Sequence, residues 1–459
     1  MTVNEESSSP SVLSQGSLLK KDQISRWAWV WAYAAIVTTL AVVRYGMFVS
    51  QGYSLAGYLT AFSLILQGRS AALPGNLLTH AIATQSAWGI WVLAPFAKYL
   101  DLSFLFFASA FWVGSGSLAI WRIGLKLSRD RGTIMAASIL YLLYPSMIAA
   151  NIYDFHLMVW AAPLILWIVS NALDRRWLHF LVLLVLGTGM GVGVSGALLL
   201  SGLGLLLWRP TRWFGLATWG FTVIYWGIAH GLSWPWPHWL WQGHLDLRAA
   251  LYLAWIILPA LLAVGGMVLQ RSLYNNGWWL PLMVVVGFNV ALGSVSSTSP
   301  FTDCSAWVAP FLALIVVFAG RLPSRIKRLA LLWSAGWVVL MGGYLYHATW
   351  RPRPTNVAEL HGALALVPEH ATLVSQSYIL PHRHVHSDNL PASALNLVPI
   401  PAGTYVLIDP SVWDGFTPRP VMAAWQSRAM RVRGANLLYH QAGVWLFRIN
   451  HTIVPSQKG

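Results

Sequence analysis

Asp154 and His156 stand two residues apart in the stretch Tyr144-Pro145-Ser146-Met147-Ile148-Ala149-Ala150-Asn151-Ile152-Tyr153-Asp154-Phe155-His156, at a boundary between two apolar runs. A carboxylate beside an imidazole can take a proton from an attacking hydroxyl, or the carboxylate can hold a metal ion. An acid at the centre of a membrane helix costs about 2.5–3.5 kcal/mol, so acids in such chains face a cavity, a partner or water. The same pair also suits a structural role, Asp154 capping the next helix through its backbone N–H groups and His156 lying at headgroup level.

Few other residues compete for this chemistry. No Glu occurs between Glu6 and Glu359, and Asp101, Asp154, Asp246 and Asp303 are the acids expected near the outer face of the membrane part, with Asp130 and Asp174 on the inner side. Arg44 and Arg69 flank the first outer loop, where they would bind a lipid-linked phosphate through charge-assisted hydrogen bonds or pair with ordinary headgroups. His382-Arg383-His384-Val385-His386 reads either as a substrate- or metal-facing tract, with His384 and His386 on one face if extended, or as a solvated loop. The stretch Trp234 to His244 is either a tryptophan belt at the membrane interface or a stacking platform for sugar or lipid. The single Cys304 excludes an intramolecular disulfide, and no spacing suggests structural zinc.

These residues need a membrane scaffold to position them. The 459 residues are 57% hydrophobic and only 9% charged, with mean hydropathy +0.58, whereas a soluble domain carries about 25% charged residues. The net charge of +15 comes from short basic clusters between apolar runs, which fits membrane orientation rather than nucleic-acid binding.

Runs long enough to span, at roughly 17–25 residues, begin near Trp27, Leu102, Gly132, Leu157, Trp177, Ser195, Trp213, Arg248, Gly277, Cys304 and Leu329. The expectation is an all-α polytopic membrane protein of about eleven transmembrane helices. Tyr58 to Gln67 and Ala83 to Tyr99 are expected as interfacial or re-entrant helices of the first outer loop. This threading places most Lys and Arg before residue 351 on the cytoplasmic side and only Arg44, Arg69, Lys98 and Arg248 outside, as the positive-inside rule requires. The domains read as a polar cytoplasmic tail (1–26), a multi-pass domain (27–350) in the cytoplasmic, or inner, membrane, and a small extracytoplasmic α/β domain (351–459). In that last domain a helical pattern at Val357 to Leu366 precedes strand-like runs at Thr372 to Ile379, Thr404 to Ile408 and Val444 to Ile449. Leu437 to Ile449, interrupted by Gln441-Ala442-Gly443, reads as a hairpin. No internal repeat argues for an inverted-repeat transporter.

Tyr141-Leu142-Leu143-Tyr144-Pro145, then Asn151-Ile152-Tyr153-Asp154-Phe155-His156 and Ala161-Ala162-Pro163-Leu164, resemble the "lyPa…n.fdFHpe.laaPll" segment of the predicted bacterial membrane proteins called domain of unknown function twenty seventy-nine. Val367-Pro368, Ala371-Thr372-Leu373, Leu380-Pro381-His382-Arg383 and Tyr405-Val406-Leu407-Ile408-Asp409 are similar to that family's "ip..asv…l.pHls.R…yvllD" pattern. The family in turn resembles the glycosyltransferase C superfamily. The resemblance implies transfer of sugars from polyprenyl-phosphate donors outside the membrane. Location and the scarcity of other acids make Asp154, with His156, the catalytic candidate, and Arg44, Arg69, His382 and Arg383 are the substrate-binding candidates. The cofactor stays undetermined, a divalent metal being one candidate, and no residues are assigned to a metal.

Three family segments are missing. The acidic "fDlgiydQ" stretch of the first loop corresponds to Tyr53-Ser54-Leu55-Ala56-Gly57-Tyr58-Leu59, "HfsP" is not found near His80 to Trp88, and "KEd" is replaced by Gly191-Val192-Gly193-Val194-Ser195-Gly196. The readings are therefore a glycosyltransferase-like enzyme with a relocated base, a catalytically degenerate scaffold that binds lipid or protein, and a transporter. The transporter reading requires ionisable groups at mid-membrane, whereas here they gather at span ends.

Overall fold

The computed structural model describes residues 12–48, 53–69, 88–99, 102–153, 155, 157–230, parts of 278–339, 354–383, 389–392, 395, 399–411, 427 and 435–453. Helices α1 (Val12–Gly46), α2 (Tyr53–Leu66), α3 (Gly89–Tyr99), α4 (Leu102–Lys126), α5 (Arg131–Leu142) and α6 (Pro145–Tyr153) lead to a 3-10 turn, Leu157–Trp160. There follow α7 (Ala161–Leu173), α8 (Trp177–Thr188), α9 (Val192–Leu207), α10 (Arg212–His230) and α11 (Val308–Phe318). The expected span beginning at Arg248, and most of those at Gly277 and Leu329, fall outside the described residues.

Among the described residues, Arg26–Gly46 and Leu102–Lys126 are long and apolar enough to cross a membrane, and α5 with α6 forms a third candidate bent by 43°. The bend sits at Tyr144-Pro145, because a residue before proline is driven from helical geometry while proline itself suits the first helical position. Shorter apolar helices occupy Leu55–Leu66, Leu157–Leu173, Trp177–Thr188, Val194–Leu207 and Val308–Phe318. The mostly helical bundle read from the sequence is present, but among the described residues several runs are short or broken, and the count of eleven spans is not reached. α1 also begins at Val12, inside the segment read as the polar tail.

α4 runs through the middle of the bundle, packed by α1, α5 and α7. Its stretch Gly114-Ser115-Gly116-Ser117 is buried. The Tyr141 ring fills the space beside Gly116, its hydroxyl 2.4 Å from where a Cβ would stand, and that hydroxyl donates to the Val113 carbonyl at 2.9 Å. Small residues let membrane helices approach closely, where packing rather than water exclusion holds them together.

Past α12 (Pro354–Ala365), strands β1 (Leu373–Ser375), β2 (Leu390–Pro391), β3 (Tyr405–Ile408), β4 (Ala435–Gln441) and β5 (Val444–Ile449) form one sheet in the order β2-β1-β3-β5-β4. The pairs β1–β2 and β1–β3 are parallel, and β3–β5 and β4–β5 antiparallel. Ala442 and Gly443 turn the β4–β5 hairpin at φ 46° and 84°, as a two-residue turn with the strand twist demands. Asp409, at the end of β3, is clamped to Gln376, its N–H donating to Gln376 Oε1 at 2.7 Å and its carbonyl accepting from Gln376 Nε2 at 3.0 Å.

Candidate functional site

The bundle has two chemically distinct ends. At one, Arg122, Lys126 and Arg176 surround Asp174, and Arg129 donates to the carbonyls of Val317 and Phe318 at the last turn of α11. At the other lie the end of α1, the α6–α7 connection, the α8–α9 break and the first-loop helices α2 and α3.

Asp154 and His156 lie outside the described residues, but the segments on either side of them are fixed by one hydroxyl. Trp160 Nε1 donates to Ser109 Oγ at 3.0 Å, and Ser109 Oγ donates to Asn151 Oδ1 at 3.1 Å. Asn151 Nδ2 in turn donates to the Met147 carbonyl at 2.8 Å, and Trp112 Nε1 donates to the Trp160 carbonyl at 3.2 Å. Ser109 on α4 therefore ties the last turn of α6 to the 3-10 turn. Phe155, between the two candidate catalytic residues, is buried in a cluster with Ala41 of α1, Leu55, Leu59 and Phe62 of α2, and Ile90 and Ala94 of α3. Its ring meets Tyr58 and Trp160 edge-on at 5.5 and 6.1 Å.

Arg44 occupies the last turn of α1 and is 1% exposed. Arg69 is exposed and follows Gly68, whose φ of 69° closes α2. The two arginines of the first outer loop thus differ in environment, and Arg44 is the one near the Phe155 cluster, through its neighbours Ala41 and Tyr45.

His382 joins the same end. Its ring stacks between Tyr45 at 4.1 Å and Phe48 at 3.6 Å, with His361 of α12 6.1 Å away, and the Tyr45 hydroxyl donates to the Pro381 carbonyl at 2.6 Å. Burial first, and then His361, push His382 from 6.5 down to about 3, so it works as a neutral aromatic plate. Arg383 donates to the carbonyls of Pro368 and Glu369, closing the turn after α12. Burial pulls its guanidinium below the usual range, with Tyr405 acting the other way. The sheet-bearing region therefore rests on the end of α1 through aromatic contacts, which sequence spacing did not reveal.

The α8–α9 break, where the family's "KEd" is replaced by glycines, is also occupied. The Gly89 N–H donates to the Gly189 carbonyl at 2.6 Å, Gly191 adopts φ 114°, and the Trp88 ring lies against the bare Cα of Gly189. Among the described residues no three His, Cys, Asp or Glu side chains converge as metal ligands.

The family described as predicted membrane protein (DUF2079) matches residues 44–238. The chain is similar in structure to ArnT from Cupriavidus metallidurans bound to undecaprenyl phosphate and to ArnT from the same organism in the apo state. Both matches have a TM-score of 0.50 at 12% identity; they cover 91% of this chain and 98% and 97% of the ArnT chains. No curated protein matches the sequence. The family resemblance read from the sequence is thus met over residues 44–238, and the chain has an ArnT-like membrane fold.

Proposed function

We propose that this membrane protein is a glycosyltransferase-like protein that takes a polyprenyl-phosphate sugar on the outer side of the bacterial inner membrane, with its N-terminus in the cytoplasm and residues 351–459 outside. What carries the reading is one packed cluster that joins the Arg44 end of α1, the first-loop helices and Phe155 of the Asp154-Phe155-His156 segment. The fold likeness and the undecaprenyl phosphate bound by ArnT support the lipid class.

In this reading Asp154 takes the proton of an acceptor hydroxyl as its oxygen bonds to the anomeric carbon. The bond from that carbon to the phosphate oxygen breaks, and polyprenyl phosphate leaves with the electron pair. Arg44 meets the charge on the leaving phosphate, since guanidinium presents a fork that matches phosphate oxygens. His156 is the partner assigned to that base, Arg69 adds an exposed positive charge after α2, and His382 and Arg383 act from the region packed on the end of α1. A general base of this kind contributes roughly 10²–10⁴-fold to rate.

The test is binding and turnover of polyprenyl-phosphate sugars by the purified chain, with and without a divalent metal, comparing wild type with Asp154→Ala. Turnover lost in the variant with binding intact is the expected result. Turnover unchanged in the variant excludes Asp154 as base. Binding without turnover in both proteins would point to a lipid-binding scaffold, a reading favoured by one observation, the seating of Trp88 and Gly89 on Gly189 in the break where family members carry charged residues.

A further inference from the structure

At the bundle end opposite the candidate site, one carboxylate is shared among several cations. Arg122 takes Asp174 most closely and also lies 5.5 Å over the Trp167 ring. Lys126 and Arg176 reach the same carboxylate only at 3.7 and 4.0 Å, with side chains 56% and 54% exposed. Arg175, Arg209 and Arg212 are exposed as well, and among the described residues none of the three has a carboxylate partner. The helices bring them together: Arg175 and Arg176 form the α7–α8 turn, Arg209 and Arg212 open α10, and Trp177 of α8 stacks on Phe214 of α10 at 3.9 Å.

An apolar surface continues from these cations along the same two helices. Leu178, Leu181, Val182 and Val185 of α8 and Leu216 and Val223 of α10 are all exposed. A cationic rim joined to an apolar face matches a ligand with an anionic head and acyl chains. Free phosphate would use the rim alone.

We propose that the α7–α8 turn and the start of α10 bind an anionic phospholipid, its phosphate on Arg175, Arg176, Arg209 and Arg212 and its chains along α8 and α10. The site is separate from the candidate transferase site and does not depend on that activity. Each cation near an anionic lipid surface contributes about fivefold to affinity, and the attraction weakens with salt.

The full-length chain, delipidated in detergent, is titrated with phosphatidylglycerol, phosphatidylcholine or glycerol 3-phosphate, and bound molecules are counted by native mass spectrometry. The expected result is phosphatidylglycerol retained at least about tenfold over phosphatidylcholine, with no displacement by glycerol 3-phosphate. The variant with Arg175→Gln, Arg176→Gln, Arg209→Gln and Arg212→Gln loses that preference, while the variant with Lys at all four positions keeps it. Equal retention of the two lipids, displacement by glycerol 3-phosphate, an unchanged preference in the Gln variant, or loss in the Lys variant each overturns the proposal.

Discussion

Trp88 occupies the space that a side chain on Gly189 would need: a Cβ built at position 189 stands 2.3 Å from the indole ring. The start of α3 and the α8–α9 break, far apart along the chain, are fitted to each other around a glycine.

Gly189→Ala therefore forces the indole to move. Overpacking of this kind costs about 1–3 kcal/mol, and the thermal midpoint in detergent should fall. Adding Trp88→Ala removes the clash, so the double variant should be more stable than the sum of the two single changes predicts. Additive effects would mean that the ring and the glycine are not coupled.

Arg44 tests the phosphate role. Arg44→Lys keeps the charge but replaces a planar fork with a compact ammonium, and the loss of paired hydrogen bonds should weaken polyprenyl-phosphate binding by about tenfold, the worth of roughly 1.4 kcal/mol. The same change at exposed Arg69 should weaken it less. Equilibrium binding of both variants separates the two arginines, and an unchanged affinity in Arg44→Lys removes it from the phosphate site.

His382 makes stability depend on pH. Its folded value, about 3, lies below its ordinary 6.5, so the unfolded chain binds more protons between these limits and stability rises with pH there. The contribution is present above pH 6.5 and is lost as pH falls from about 6.5 toward 3. His382→Phe keeps a ring between Tyr45 and Phe48 but removes the proton site. The difference between melting curves of wild type and variant should shrink or reverse on acidification across that window, and a difference independent of pH would contradict the neutral histidine.

What the sequence reveals here depends on how local the cause is. The β4–β5 hairpin was legible because Gln441-Ala442-Gly443 itself requires the turn; the run Thr404 to Ile408 is a strand at Tyr405–Ile408, whereas that at Thr372 to Ile379 is a strand only at Leu373–Ser375 and turns after it. The short and bent helices were less legible, since an apolar run long enough to span looks the same whether or not Tyr144-Pro145 breaks it. The fit of His382 between Tyr45 and Phe48, and of Trp88 on Gly189, joins residues far apart in sequence, and no spacing rule anticipates either. Ser109 gave no signal, being one of four serines in an apolar helix.

Ser109 nevertheless gives the sharpest test of how the Asp154 segment is held. Its hydroxyl accepts from Trp160 Nε1 and donates to Asn151 Oδ1. Ser109→Ala would leave a half-buried indole N–H and a buried amide oxygen without this partner, at a cost of about 1–3 kcal/mol for a group left unsatisfied and buried. Because one hydroxyl binds on both sides of Asp154 and His156, its removal should loosen that connection before the rest of the bundle. Amide exchange should therefore increase at residues 151–160 while α7 stays protected. Turnover of a polyprenyl-phosphate sugar, where wild type shows it, should fall with little change in lipid affinity. A variant that loses stability evenly along the chain would instead make Ser109 an ordinary packing residue, and leave Phe155 and its apolar cluster as what holds the segment between α6 and the 3-10 turn.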